Sequence, residues 1–484
     1  MDHVVEPTLT HTGMFAKGAD EAGSSARLRV AHILSRVIFV SLLVVLILTA
    51  VPYGTVEPWW IAIFECVVFL VAMLAVINMF ISKNFHVNHL SLAAPILVLI
   101  VYILFQSVSL FSVIPLGNLR TAVSADPYAS RLFAIKLLAL LVAGVTIQRY
   151  TSSKERLRTL IYVAIGIGLA TAIFGILRKN FQQSPGFFLS HLANNERGFA
   201  QFINKNHFAY LVEMNLGLAL GLVVGQKGSH RRTFILLPII AVMWVALIYS
   251  NSRGGIVASL GQLLLLGIFL DPVRHLTKDR AMTTWERFQS LTGGFAVRVF
   301  LIICFIAVFA YGVAWVGGER VVTNFEMGGA DFTNQATDNH SNTSRKEIWS
   351  TTWRMIRDHP LVGTGFGGYW IAVTKYHDAS GEITPQQAHN DYLELLAGGG
   401  LIGVVLVIWF IVLAAKRVSQ GLRSADPYRR ATGLGAITGI FGIVIHSFVD
   451  FGLHITINAL VCTILIVVAT MPIGSDDRQV PEIL

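Results

Sequence analysis

The chain has 484 residues, of which 54% are hydrophobic and only 13% charged. A soluble globular domain carries about 25% charged residues, so the composition is that of an all-α polytopic membrane protein and excludes an ordinary soluble domain. The formal net charge of +9 follows the tendency of cytoplasmic loops to collect Lys and Arg, and no interleaved basic and aromatic surface accompanies it, which excludes nucleic acid as a partner.

Residues 1–30 are polar and lack a short apolar core followed by a small-residue cleavage site. They read as a disordered cytoplasmic tail, with the first span as an uncleaved signal anchor. Apolar runs long enough to cross a bilayer lie near 31–51, 59–81, 91–111, 132–148, 159–177, 208–225, 233–250, 255–270, 297–316, 393–415, 431–449 and 453–471, about twelve transmembrane helices. This divides the chain into a tail (1–30), a membrane domain of spans one to nine (31–316), a large periplasmic loop containing short helices (317–392), a membrane domain of spans ten to twelve (393–471) and a second cytoplasmic tail (472–484).

Orientation follows from Lys and Arg in the short loops. Arg149, Lys154, Arg156 and Arg158 follow span four; Lys227, Arg231 and Arg232 follow span six; Arg274, Lys278, Arg280 and Arg287 follow span eight; Lys416, Arg417, Arg423, Arg429 and Arg430 follow span ten. All fall on one side when both termini are cytoplasmic. Several basic residues then lie on the outer side, among them Arg178, Lys179, Arg197, Lys205, Arg253 and Arg345. Arg253 is the least expected, because its turn, Ser250-Asn251-Ser252-Arg253-Gly254-Gly255, is short. A guanidinium there matches phosphate oxygens in a bidentate fork; an Arg snorkelling to headgroups has the same signature.

Within the large loop, residues 342–358 read as an amphipathic helix, with Trp349, Trp353 and Ile356 on the apolar side and Arg345, Arg354 and Arg357 on the polar side. Pro360 stops it. Gly363-Thr364-Gly365-Phe366-Gly367-Gly368 matches G-x-G-x-x-G, but no βαβ unit surrounds it; a tight turn packing Phe366, Tyr369 and Trp370 against the membrane is the expectation. His377 and Asp378 have no second cluster to complete a metal site. Cys66, Cys304 and Cys462 lie in apolar runs with no C-x-x-C spacing. Glu65, Lys136, Glu213 and His446 are ionisable residues inside spans; an ion path, mutual pairing and snorkelling all account for such residues.

Residues 384–417 begin as a polar helix and end as a span. Thr384, Pro385 and Gln387 form a helix-start pattern, which puts His389 in the first turn, where the helix dipole favours a neutral, basic imidazole. Asn390, Asp391 and Glu394 follow, and glycines at 398–400 predict a bend or a close contact. Two other polar groups converge on the same face: Asn204-Lys205-Asn206-His207 before span six, and His446-Ser447-Phe448-Val449-Asp450-Phe451 between the last two spans. The convergence, rather than any one residue, indicates a site; alone, the 384–417 stretch is equally an interfacial helix.

The ordered segments NKNHFAYLVEMNLGLALG (204–221), YSNSRGGIVA (249–258), HPLVGTGFGGYW (359–370), HNDYLELLAGGGLIG (389–403) and HSFVDFGLHI (446–455) resemble the O-antigen ligase and O-antigen (exopolysaccharide) polymerase superfamily of integral-membrane glycosyltransferases. His389 and Gly400 fit that family's H-x10-G spacing, whereas Arg178, Arg197 and Arg253 do not provide its Arg-x10-Gly counterpart. The resemblance implies a GT-C-like fold in the bacterial inner membrane with a periplasmic active site. It implies transfer of a glycan from an undecaprenyl-diphosphate carrier to another carrier-linked glycan (polymerase) or to lipid A–core (ligase). No nucleotide sugar, divalent metal or other cofactor is expected. The lipid bilayer and a chain-length regulator are the remaining partners. His389 is the candidate base, and Arg253, Lys205, Arg197 and Arg345 are the candidate diphosphate ligands. Asn390, Asp391, Glu394, His207 and Asp450 are the candidate acceptor or orienting groups, with Asp391 or Glu394 expected to orient either His389 or the acceptor. The phrasing of 204–221 and 446–455 leans to the polymerase. A polysaccharide transporter or flippase is the non-enzymatic alternative, and it requires paired repeats that the sequence does not display.

Overall fold

The computed structural model describes residues 12–85, 90–108, 122–181, 198–225, 230–269, 320–322, 342–376, 385–422 and 426–471. Among them are thirteen α-helices. The first eight are α1 (Thr12–Ala50), α2 (Pro58–Ser82), α3 (Leu90–Gln106), α4 (Pro127–Tyr150), α5 (Lys154–Phe181), α6 (Lys205–Gly225), α7 (His230–Tyr249) and α8 (Arg253–Phe269). The others are α9 (Arg345–Asp358), α10 (Tyr369–Ala372), α11 (Asp391–Gly421), α12 (Pro427–His446) and α13 (Thr456–Thr470). A short antiparallel ribbon pairs β1 (Arg320–Val322) with β2 (Asn342–Ser344).

Among the described residues seven helices are long and apolar enough to cross a membrane, and α3, α8 and α13 are shorter apolar helices. The chain is a polytopic, helical membrane protein. Each expected span coincides with a helix except 297–316, which lies outside the described residues, as do Thr384, Arg197, His377, Asp378 and Cys304. One expectation changes at the start of the chain. Helix α1 begins at Thr12, inside the stretch read as a disordered tail. No proline occurs between Pro7 and Pro52, so the helix nucleated by the first span propagates backwards, one hydrogen bond per added residue.

Helix starts follow local chemistry. Asp126 accepts from the Ala129 N–H at 3.0 Å ahead of Pro127, and Asp426 accepts from the Tyr428 N–H at 2.8 Å ahead of Pro427. Both are N-caps with proline at the first helical position. The basic loops meet at this end: Lys154 pairs with Asp426 at 3.2 Å, and Arg429 donates to the Ser152 carbonyl at 3.1 Å.

Helix α6 is buried along most of its length and lies against α12 through small residues. A Cβ added to Gly217, Gly221 or Gly225 would come within 2.4, 2.2 and 2.5 Å of Gly439, Gly435 and Ala431 respectively. Bilayer helices pack this closely only where side chains are minimal. The contact fixes the register of α6 against α12, and so the height of every polar group at their outer ends.

The predicted interruption of α11 is present. Gly400 has φ +59° and ψ −164°, and the helix kinks there. The 360–365 segment runs alongside: the Leu401 and Ile402 N–H groups donate to the Pro360 and Leu361 carbonyls, and Thr364 and Gly365 donate to Ala397 and Gly398. From α3, Gln106 Nε2 donates to the Val362 and Gly398 carbonyls at 2.7 and 3.0 Å. Tyr102 donates to the Val362 and Gly399 carbonyls at 2.8 and 3.0 Å. Broken helix is tolerated at this depth because protein groups satisfy the freed carbonyls. The G-x-G-x-x-G stretch is therefore a structural partner of the kink. Its Phe366 and Tyr369 are buried in protein, while Trp370 is 45% exposed.

A buried carboxylate joins four helix ends

The ends of α6, α8, α11 and α12 that carry Lys205, Arg253, Asp391 and His446 lie together, away from the basic loops. Asp450, in the turn between α12 and α13, is fully buried at their junction. Its Oδ1 faces His389 Nδ1 at 3.3 Å and accepts from the Phe451 N–H at 2.9 Å. Its Oδ2 lies 3.5 Å from Arg345 Nη2 and accepts from Asn206 Nδ2. Asn206 Oδ1 accepts from Ser252 Oγ at 2.7 Å. Burial alone would push the Asp450 carboxyl up, but His389, Arg345 and His207 outweigh it and hold the group well below the usual carboxylate range. Because an ionised carboxylate only accepts, His389 Nδ1 is the donor, and Nε2 is the nitrogen able to take a proton.

His389 does not sit in the first turn of a helix. Helix α11 starts later, with Asn390 as its N-cap, accepting from the Tyr392 and Leu393 N–H groups at 3.0 Å each. The asparagine offers a better cap than the Thr384 pattern and also donates to the Phe448 carbonyl at 2.8 Å. His389 precedes the cap in the left-handed region, φ +48°, which a β-carbon makes costly. Such strain persists where surrounding contacts over-determine it and clusters at functional sites. Asp450, not the helix dipole, therefore faces the imidazole.

The other candidate orienting carboxylates have different partners. Asp391 accepts from Ser447 Oγ at 2.6 Å. Glu394 accepts from the Ala388 N–H at 3.0 Å and lies 3.2 Å from His454 Nε2. Both have partners elsewhere, and Asp450 is the carboxylate that contacts His389. His207 packs edge-on to Phe451 at 5.0 Å, and Phe451 meets His389 in the same way at 4.7 Å.

Arg345 was expected on the polar face of α9. It is instead 3% exposed, with Ile348, Thr352 and Met355 on the buried face and Trp353 exposed; its pairing with Asp450 draws it inward. Arg253 and Lys205 are each one residue from the Ser252–Asn206 hydrogen bond that leads to Asp450, at the first residues of α8 and α6. Burial, and after it the charge of Lys205, lowers the pKa of Lys179.

A cavity of about 540 Å³ opens beside this cluster, lined by apolar side chains such as Leu99, Phe133, Leu137, Leu395 and Phe410, with Asp391, Glu394 and His454 among its polar lining. Sequence reasoning did not single out Asn206, Ser252 or His454 as site residues. Each lies in a segment that carried the resemblance, so the signal was positional; which amide or hydroxyl made the link depended on helix register.

Residues 238–408 match the family model described as O-antigen ligase. The matched stretch contains Arg253, Arg345 and His389 and leaves Lys205 and Asp450 outside it. No curated protein matches the chain.

Proposed function

We propose that this multi-pass membrane chain, which carries an O-antigen ligase domain at residues 238–408, transfers a glycan from an undecaprenyl-diphosphate carrier to a second carrier-linked glycan at the periplasmic face of the inner membrane. The observation that carries the reading is the Asp450–His389 contact at 3.3 Å with Arg345 on the same carboxylate. It supports a reading in which His389 is an oriented base with a guanidinium beside its carboxylate.

In this reading His389 Nε2 removes the proton of the acceptor hydroxyl, and Asp450 steadies the resulting imidazolium, as the acid does in a base–orienter pair. The acceptor oxygen forms a bond to the donor's anomeric carbon as the bond from that carbon to the diphosphate oxygen breaks. The diphosphate leaves with the electron pair, and the anomeric centre inverts. Arg253, Lys205 and Arg345 offset its charge, with Arg197 as a further candidate. Asn390, Asp391, Glu394 and His207 border the acceptor. The apolar cavity beside Asp391 and Glu394 suits the isoprenoid chain of a lipid-linked substrate.

Transfer to lipid A–core is the second reading, and the match to the family model described as O-antigen ligase is compatible with either. Purified protein given carrier-linked repeat units without lipid A–core separates the two. Lengthened carrier-linked glycan supports the polymerase; reaction only after core is added supports the ligase. Labelled glycan that crosses the bilayer without forming a new glycosidic bond contradicts both and supports a transporter.

A further inference from the structure

A second imidazole–carboxylate pair lies behind the first. His446, the last residue of α12, and Glu213, in the middle of α6, are both fully buried, with His446 Nδ1 3.1 Å from Glu213 Oε2. The mechanism above uses neither. The other ring nitrogen, Nε2, has no hydrogen-bond partner among the described residues and points at the first turn of α8. A Cβ added to Gly254 would lie 2.5 Å from His446 Nε2, so α8 starts hard against the imidazole.

The face of the same ring stacks on Tyr210, centroids 4.1 Å apart and planes 24° apart. The Tyr210 hydroxyl reaches Ser447 Oγ and the Asp450 carbonyl, each at 3.3 Å. One imidazole therefore touches the turn that bears Arg253 on its edge and, through Tyr210, the turn that bears Asp450. A burial this deep is compatible with an ionisable pair because each group satisfies the other, and the α6–α12 glycine contact leaves the pair little room to shift.

We propose that the Glu213–His446 pair is a positioning element that sets the distance between Arg253 and the Asp450–His389 base, with Gly254 as the required gap. The proposal rests on the reading of Arg253 as a diphosphate ligand. It assigns no bond-making role to either residue of the pair.

The test is a double-mutant cycle on kcat/KM for carrier-linked donor, using full-length protein in nanodiscs. Gly254→Ala pushes α8 off the imidazole and is expected to lose on the order of 10²-fold, as displacements near 1 Å do. Combined with Arg253→Ala it is expected to be no worse than Arg253→Ala alone, because a displaced arginine and an absent one are equivalent. Because the imidazole is itself the spacer, adding His446→Ala to Gly254→Ala removes the clash without restoring the spacing, and activity is expected to stay as low as in His446→Ala alone. Independently, Glu213→Gln, which keeps an acceptor for Nδ1, retains activity that Glu213→Ala loses, with size-exclusion profiles confirming folded protein for each variant.

Wild-type activity of Gly254→Ala, or losses that multiply in the double variant, overturns the positioning role while leaving the diphosphate reading intact. Wild-type activity of Arg253→Ala overturns the reading on which the proposal rests.

Discussion

Asp450 and His389 lie 61 residues apart in sequence and meet at 3.3 Å through Oδ1 and Nδ1. The contact joins the turn after α12 to the residue before the cap of α11, and it decides which imidazole nitrogen carries a proton. Asp450→Asn, which keeps the size of the side chain and removes its charge, is expected to lower kcat by about 10²–10⁴-fold, the usual worth of a positioned base. Single-turnover measurements with carrier-linked donor check this. Asp450→Ala also leaves the buried Arg345 without its carboxylate and is expected to be the less stable of the two, because breaking a buried pair from one side costs about 3–5 kcal/mol.

The acid stability of the protein depends on the same carboxyl. Its native pKa lies below the ordinary value, which is about 3.9 in an unfolded chain. A carboxyl depressed in the native state contributes stability above its unfolded pKa and loses it as pH falls through the native one. Thermal unfolding in detergent is therefore expected to weaken more steeply below about pH 4 in wild type than in Asp450→Asn. Between pH 5 and 8 Asp450 stays ionised, so a pH–rate inflection there that persists unchanged in Asp450→Asn belongs to another group.

Gln106 supports the broken part of α11 from α3. Gln106→Leu removes one of two donors from the Val362 and Gly398 carbonyls, which keep Tyr102 and the Gly365 N–H, so each lost bond costs about 0.5–1.5 kcal/mol. The expected result is a lower unfolding temperature and a looser kink, read as faster hydrogen exchange at residues 397–402. Gly400→Ala acts on the same feature. Its backbone lies at φ +59° and an added Cβ would meet the Leu361 carbonyl oxygen at 2.3 Å.

The cavity between α3, α4, α11 and α13 is open to a separate test. Leu137→Trp fills part of it. Transfer from a carrier with a long isoprenoid chain is expected to fall through a raised KM, while a donor with a short chain is little affected. Equal losses for both chain lengths contradict a lipid seat.

Much of this arrangement was legible in the sequence because membrane helices announce themselves by length and apolarity. The spans, the kink at 398–400 and the convergence of 204–207, 389–394 and 446–451 all follow from local residue types. Where sequence reading departed from the structure, the deciding contact was remote. Helix α11 is capped at Asn390 where Phe448 and Ser447 hold Asn390 and Asp391, and no local pattern near Thr384 reports those remote contacts. Arg345 faces inward because Asp450 lies there, against the amphipathic reading of its own helix. Asp450, rather than Asp391 or Glu394, contacts His389, while Ser447 and His454 engage the other two. The Glu213–His446 pair was visible only as two unexplained ionisable residues, since its meaning depends on the α6–α12 register set by Gly217, Gly221 and Gly435.

The central claim is that His389, held by Asp450, removes the acceptor proton. The most direct measurement is the rate of glycosidic-bond formation by purified His389→Ala protein with saturating carrier-linked donor and acceptor. A fall of about 10²–10⁴-fold with unchanged folding and donor binding is the predicted result. Product formed at the wild-type rate contradicts the claim, whatever family the chain resembles.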